Sequence, residues 1–360
     1  MKTNIEMNST PSITINGKVI NQHSPSYLIA EMSANHSGSF EKAIEIIHAA
    51  KRSGADAIKL QTYRADTITL DCNNEDFTLP ADNPWEAHQT LYALYEKAFT
   101  PWEWHKALFD EAKKIGIDIF SAPFDISAVD FLETLDCPVY KIASPEITDI
   151  GLIKRVAQTS KPVILSTGLA ELEDIELAIK TLTDNGCQEY ALLKCTTAYP
   201  APAEDINLLT IPDMAKRFQC IAGLSDHSLG NSVPIAAVTL GAKVIEKHFV
   251  LDKEDPSVDA FFSLDPDEFS QMVQDIRFVE QALGGISYEI SPASQKNMLA
   301  RRSLYVSDNI NAGEIITSKN IKSVRPSYGL APKYYEHILG KKVTKSLAKG
   351  DRLSLDDIEL

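Results

Sequence analysis

The sequence is poor in cysteine, and the five it has are not arranged to pair. Cys72, Cys137, Cys187, Cys195 and Cys220 are odd in number, widely scattered and free of any C-x-x-C spacing. That excludes a disulfide scaffold and fits reduced, mostly buried thiols in a cytoplasmic protein. Positive charge is also in deficit. Across 360 residues, 35 Lys and Arg stand against 50 Asp and Glu, a formal charge of −15. Nothing in the bulk composition would neutralise a phosphate backbone or an anionic bilayer, so nucleic acid and membrane surfaces are excluded as partners. If the ligand is an anion, its positive charges must be local. Long apolar runs are missing too. The opening MKTNIEMNSTPSITING holds no apolar core of the kind a signal peptide needs, and no later run approaches spanning length, which points to the cytosol. At 44% hydrophobic and 24% charged, disorder and collagen fall away, leaving one large domain or a large plus a small one.

What is present is a repeating grammar. ITINGKVI, Ile13 to Ile20, alternates apolar and polar residues around Asn16-Gly17, the dipeptide suited to a two-residue hairpin turn, so residues 1–24 are expected to form a hairpin extension. From Tyr27 short apolar runs alternate with amphipathic stretches. The runs are YLIAE, AIKLQ, IDIFSA, VYKIA, VILST, YALLKC, CIAGLS and VIEKHF, ending at Glu31, Gln61, Ala122, Ala143, Thr167, Cys195, Ser225 and Phe249. Between them lie segments such as FEKAIEIIHAAKRSG and PWEWHKALFDEAKKIG, most closed by a glycine after the last turn. Eight strand–helix repeats close a parallel barrel, and the 259 positions from 25 to 283 match the roughly 250 typical of a (β/α)8 TIM barrel. Beyond residue 300 the pattern breaks. A linker over 284–300 and a small, mostly β domain over 301–360 are expected, the latter from SLYVS, KKVTKSL and their glycine turns.

In such a barrel the chemistry sits at the carboxyl ends of the strands. Those ends are unusually polar: Glu31, Lys59 and Gln61, Ser121, Lys141 with Ser144 and Glu146, Ser166 and Thr167, Lys194 leading to Thr197 and Tyr199, Asp226 and His227, Glu246 and His248. Lys59 and Lys141 share the phase of Gln61 and Ala143, so their amines are expected inside the barrel mouth. Buried ammonium groups need an anionic partner, and with Ser121, Ser144 and Thr167 nearby they suit a phosphate or carboxylate. His227 and His248 end consecutive strands, and two imidazoles converging on one cavity form a candidate divalent-metal site. Waters or Glu31 would complete it, with Mn, Fe, Co or Zn favoured over Ca. One connection is far too long. Residues 62–101 separate the second strand from its helix, where about 2–6 is usual. They carry Phe77, Trp85, Tyr92, Tyr95 and Phe99, either a packing patch or subunit contact, or a lid that shapes the substrate pocket.

AEMSANHSGS, GADAIKLQTY, FSAPFD, YKIASPE, ILSTG, LLKCTTAYP, GLSDHS and EKHF, in this order from Ala30 to Phe249, together resemble the sialic acid synthase family. RRSLYVSDNINAGEIITSKNIKSVRPSYGL resembles that family's antifreeze-like (SAF) domain, so the resemblance spans nearly the whole chain. SANH, KLQTY and TLYALYEKAFTPWEWHKALFD are similar to its pseudaminic acid branch. The resemblance implies condensation of phosphoenolpyruvate with an acetamido aldose to give a nine-carbon ulosonic acid and phosphate. For this branch the aldose is 2,4-diacetamido-2,4,6-trideoxy-L-altrose. N-acetylneuraminate or legionaminate synthesis on another acceptor, a divalent-metal aldolase that ignores phosphoenolpyruvate, and an ice- or carbohydrate-binding module on an inactive barrel remain alternatives. By the same resemblance His227 and His248 hold a divalent ion, Mn2+ with Mg2+ or Co2+ as alternatives. Lys59, Ser121, Lys141, Ser144 and Thr197 match phosphoenolpyruvate contacts, and Glu31, Gln61, Glu146, Tyr199 and Asp259 match positions around the reacting centre and sugar. Arg325 matches an arginine that one subunit of a domain-swapped homodimer inserts into its partner's barrel.

Overall fold

Asn16 and Gly17, with φ of 48° and 78°, turn the chain between β1 (Ser12–Ile15) and β2 (Lys18–Asn21). Positive φ at both turn positions matches the twist of the flanking strands, and Gly and Asn adopt it most cheaply. The computed structural model describes residues 10–80 and 84–359, so residues 1–9 of the expected extension lie outside the described residues. The chain divides into two compact units between Gly284 and Gly285.

In the first unit, eight parallel strands close on themselves. They are β3 (Tyr27–Glu31), β4 (Ala57–Thr62), β5 (Asp118–Pro123), β6 (Tyr140–Ile142), β7 (Val163–Ser166), β8 (Tyr190–Cys195), β9 (Ile221–Asp226) and β10 (Val244–His248). Their order round the barrel is their order in the chain, with β10 pairing β3. Every strand ends within one residue of the boundary its apolar run implies. Helices return the chain between strands, and their ends are written in the sequence. Ser39 caps Phe40–Arg52, Gly116 in the left-handed region (φ 74°) stops Trp102–Ile115, and Asp265 with Glu268 forms a capping box ahead of Pro266–Leu283.

The hairpin stoppers the floor of this barrel. Ile13, Ile15 and Ile20 are buried in the barrel's own apolar core, each contributing about 1.5–3 kcal/mol by its removal from water. Polar groups register it: Thr14 N–H donates to Glu189 at 2.7 Å, and Asn16 Nδ2 and Lys18 Nζ donate to Asp118 at 2.9 and 2.8 Å.

At the mouth, register decides which side chains meet. Glu31 lies level with Lys59 and with His248, Glu246 with Ser225, and Cys195 with Ser225. All therefore face inward. The alternate set, including Thr62, Ser121, Asp226 and Lys247, faces the helices. The described residues of the long segment 62–101 include helices Ala65–Ile68 and Leu91–Ala98 and a bridge between Thr78 and Thr90.

The second unit pairs β11 (Ser303–Val306) with β12 (Ile321–Val324) antiparallel. Its own core gathers Leu304, Val306, Ile310, Ile316, Ile321 and Val343 among others. Among the described residues no helix is long and apolar enough to cross a membrane.

Candidate active site

Four ionisable side chains fill the top of the barrel, and water reaches none of them appreciably. Glu31 is 0% exposed, Lys141 1%, Lys59 3% and Glu246 5%. Lys59 forms an ion pair with Glu31 and lies 3.5 Å from Glu246, and Lys141 approaches the same Glu246 oxygen at 3.8 Å. The environment splits the carboxyls. Burial raises the pKa of both, but two lysines, Lys141 first, outweigh it at Glu246, which is held below its usual value; burial prevails at Glu31, which is pushed up. Burial likewise lowers Lys141, whereas at Lys59 the two carboxylates overcome it and raise the amine. Gln61 Nε2 donates to Glu31 Oε1 at 3.2 Å and Ser33 N–H at 3.0 Å, fixing the carboxyl plane.

Beside Lys141 lies a small cradle. Its Nζ donates to Ser166 Oγ at 2.6 Å, and Gly168 N–H donates to Ser144 Oγ at 3.0 Å. A Cβ on Gly168 would stand 2.3 Å from Thr197 Oγ1 and 2.9 Å from Ser144 Oγ. Only glycine leaves this corner open, so Ser144, Gly168 and Thr197 form a polar recess beside the ammonium, as an anion requires.

On the other side the rings of His227 and His248 stand 5.4 Å apart. His227 Nδ1–H donates to the Thr196 carbonyl at 2.9 Å, so Nε2 is the nitrogen left to ligate. Burial, then neighbouring positive charge, holds His248 well below its usual pKa, so this imidazole is neutral; its Nδ1 is buried without a hydrogen bond. Burial lowers the pKa of His227 but its contact with Cys195 raises it above the usual value, so an entering cation would displace any proton on Nε2; that nitrogen and the orphaned Nδ1 of His248 fit a divalent ion. Among the described residues no group of three or more His, Cys, Asp or Glu is placed to hold one, so further ligands would come from water or substrate. Asp259 completes this side: it is buried and accepts from Ser33 Oγ.

Aromatic walls surround the opening. Trp85 packs against Tyr199 with centroids 5.4 Å apart and donates its indole N–H to the Val258 carbonyl at 2.8 Å. Tyr199 lies 4.4 Å from the His227 ring, and Tyr63 packs against Tyr95 and Phe124. Glu146, on the turn after β6, has its carboxyl raised to about 7, chiefly by burial, and its Oε2 has no hydrogen bond.

The sequence profile of the NeuB family matches residues 46–288, about two thirds of the chain, and that of the SAF domain matches 301–359. The chain belongs to the NeuB family. It is 46% identical to a pseudaminic acid synthase of Campylobacter jejuni, over 92% of this chain and 96% of that one. It is 37% identical to an N,N'-diacetyllegionaminic acid synthase of Legionella pneumophila, over 92% and 94%. Among solved structures, the N-acetylneuraminic acid synthetase of Leptospira borgpetersenii superposes with a TM-score of 0.70 at 29% identity, covering 80% of this chain and 95% of that one.

Of the residues the sequence singles out in this NeuB-family chain, Glu31, Lys59, Gln61, Lys141, Ser144, Glu146, Thr197, Tyr199, His227, His248 and Asp259 gather at one barrel mouth. Ser121 does not. It pairs with Leu60 and Tyr140, on the outer face. Its hydroxyl lies 2.6 Å from Thr62 Oγ1, which lies 2.8 Å from His105 Nε2. Since His105 Nδ1–H donates to the Pro101 carbonyl, Nε2 accepts from Thr62 and Thr62 accepts from Ser121. The Ser121 proton is thus committed to the helix layer, and Ser121 is corrected from a ligand contact to a strand–helix tie. Arg325 lies exposed on the second unit, just after β12. Glu246, Ser166 and Ser33 are site residues that sequence reasoning left unassigned. Glu246 stands two positions before His248, and that spacing alone puts both on one face.

Proposed function

We propose that this chain is a pseudaminic acid synthase, joining phosphoenolpyruvate to 2,4-diacetamido-2,4,6-trideoxy-L-altrose with release of phosphate. The observation that carries the reading is the pair of buried lysines around Glu246, next to the Ser144–Gly168–Thr197 recess. Two ammonium groups and a neutral donor recess suit a ligand bearing both carboxylate and phosphate. Greater identity to the pseudaminic than to the legionaminic synthase supports the acceptor.

In this scheme the methylene carbon of phosphoenolpyruvate forms the new bond to the aldehyde carbon. Water adds to the former enol carbon, and the resulting tetrahedral adduct expels phosphate to leave the ketone. Lys59 and Lys141 neutralise the donor's charges. Glu31, oriented by Gln61 and Ser33, and Glu146, whose carboxyl titrates near neutrality, are the groups able to hold and move the protons. Trp85 and Tyr199 offer an apolar wall to a deoxygenated sugar. His227 and His248 would hold a divalent ion, Mn2+ first and Mg2+ or Co2+ otherwise, which when bound supplies Lewis-acid polarisation of the acceptor carbonyl. Arg325 is assigned, across a homodimer, to the acceptor's N-acetyl group.

An acceptor panel tests this. Phosphoenolpyruvate is offered with the diacetamido altrose, the legionaminic precursor and N-acetylmannosamine, with phosphate and product mass read for wild type and Arg325→Ala, with and without EDTA. We expect phosphate release with the first sugar, loss on chelation with recovery on Mn2+, and a raised acceptor KM for the variant. Preference for another sugar moves the acceptor assignment; no phosphate with any sugar overturns the reaction. Turnover in a metal-stripped sample, or unchanged acceptor kinetics, removes the metal or the arginine respectively.

A further inference from the structure

Lys247 sits on β10 between Glu246 and His248 yet faces the opposite way. Its register partner is Asp226, so both side chains leave the outer face of the barrel, where that of Lys247 is 0% exposed. The ammonium donates to Asp226 Oδ2 at 2.5 Å and also to the carbonyl oxygen of Ser228. Asp226 in turn accepts from the backbone N–H and the hydroxyl of Ser228, each at 3.0 Å. Asp226 and Ser228 are the two immediate neighbours of His227. One buried cation thus fastens β10, next to His248, to both flanks of His227.

A buried ion pair is a poor source of stability, because desolvating two charges consumes most of what their attraction returns, and apolar replacements are often as stable. What it supplies here is position. The Thr196 carbonyl and the Tyr199 ring hold the His227 imidazole from the segment after β8; the clamp refers it to β10.

We propose that Lys247 is a positioning residue: through Asp226 and Ser228 it sets His227 against His248, and with it the affinity of the pair for a divalent ion. The second half rests on the metal reading given above; the first does not. Groups that stand behind a ligand and orient it typically change metal affinity about 10- to 100-fold when removed.

The test uses the full chain carrying Asp226→Asn with Lys247→Met, so that no buried charge is left unpaired. Binding of Mn2+ alone is followed by calorimetry, and histidine side-chain NMR, with His227 assigned by substitution, follows its ring. We expect a folded protein that binds Mn2+ about 10- to 100-fold more weakly, an apparent KM for Mn2+ that rises while kcat at saturating ion is kept, and a moved or broadened His227 signal. Ser228→Ala, which removes only the hydroxyl hold on Asp226, should shift both readouts the same way by less, and it decides the matter if the double variant does not fold. Wild-type Mn2+ affinity together with an unmoved His227 signal overturns the clamp. A wild-type chain that binds no Mn2+ overturns the metal reading instead, and the NMR signal then decides the clamp by itself.

Discussion

At the floor of the barrel Asp118 accepts from Lys18, Asn16 and Tyr27, and Glu189 accepts from the backbone and hydroxyl of Thr14. At the mouth, Glu146, Glu246 and His248 each keep a buried polar atom with no hydrogen bond, and Glu31 Oε2 has only its ion pair to Lys59. These are four of the six such atoms among the described residues. An unmet buried polar group is costly. The floor is complete in the protein alone, whereas the mouth becomes complete when something else enters. The contrast separates groups that hold the fold from groups that wait for a ligand, without reference to any relative.

Substitution should break the two ends in opposite ways. Glu146→Gln should lower kcat/KM by about 10^2- to 10^4-fold, the scale of losing a group that moves a proton, with little loss of melting temperature, since burial already favours its neutral form. Asp118→Asn should cost about 1–3 kcal/mol of stability by leaving charged and polar donors short of an acceptor and leave kcat/KM intact. Denaturant melts and steady-state kinetics on both variants check it. If Glu146→Gln unfolds the chain as readily as it silences it, the distinction between the ends is lost.

A finer comparison sets two serines against each other. Ser144→Ala should raise the phosphoenolpyruvate KM about tenfold, the worth of one hydrogen bond to a charged group. Ser121→Ala should leave that KM alone and cost about 1 kcal/mol of stability through the Thr62–His105 chain. The reverse pattern would return Ser121 to the pocket.

The smallest effect is a slope. Because burial raises the folded pKa of Glu146 to about 7 from an ordinary 4.5, the folded state keeps a proton that the unfolded chain has released between those values. The stabilisation is full below pH 4.5 and is lost as pH rises through 7. Melting temperature should therefore fall more steeply between pH 5 and 7 for wild type than for Glu146→Gln; equal slopes would mean an ordinary carboxyl.

Much of this was legible beforehand, and the reason is geometric. Period two put Lys59 in phase with Gln61, and eight apolar runs put both at a barrel mouth. Ser121 was read from its place at a strand end and from resemblance; that rule could not check it, because DIFSAP, buried on both faces, carries no alternation to show which face is inner. Glu246 was visible but mute: its partners Lys59 and Lys141 lie elsewhere in the chain and meet it only when the barrel closes. The aromatic segment was read as a group, and packing divides it. Trp85 packs against Tyr199 at the opening, whereas Tyr95 packs against Tyr63.

The hairpin under the barrel has a consequence for traffic. With Ile13 and Ile15 sealed into the floor, the cavity is a cul-de-sac. Both reactants must therefore enter, and the product and phosphate leave, on the side walled by Trp85 and Tyr199.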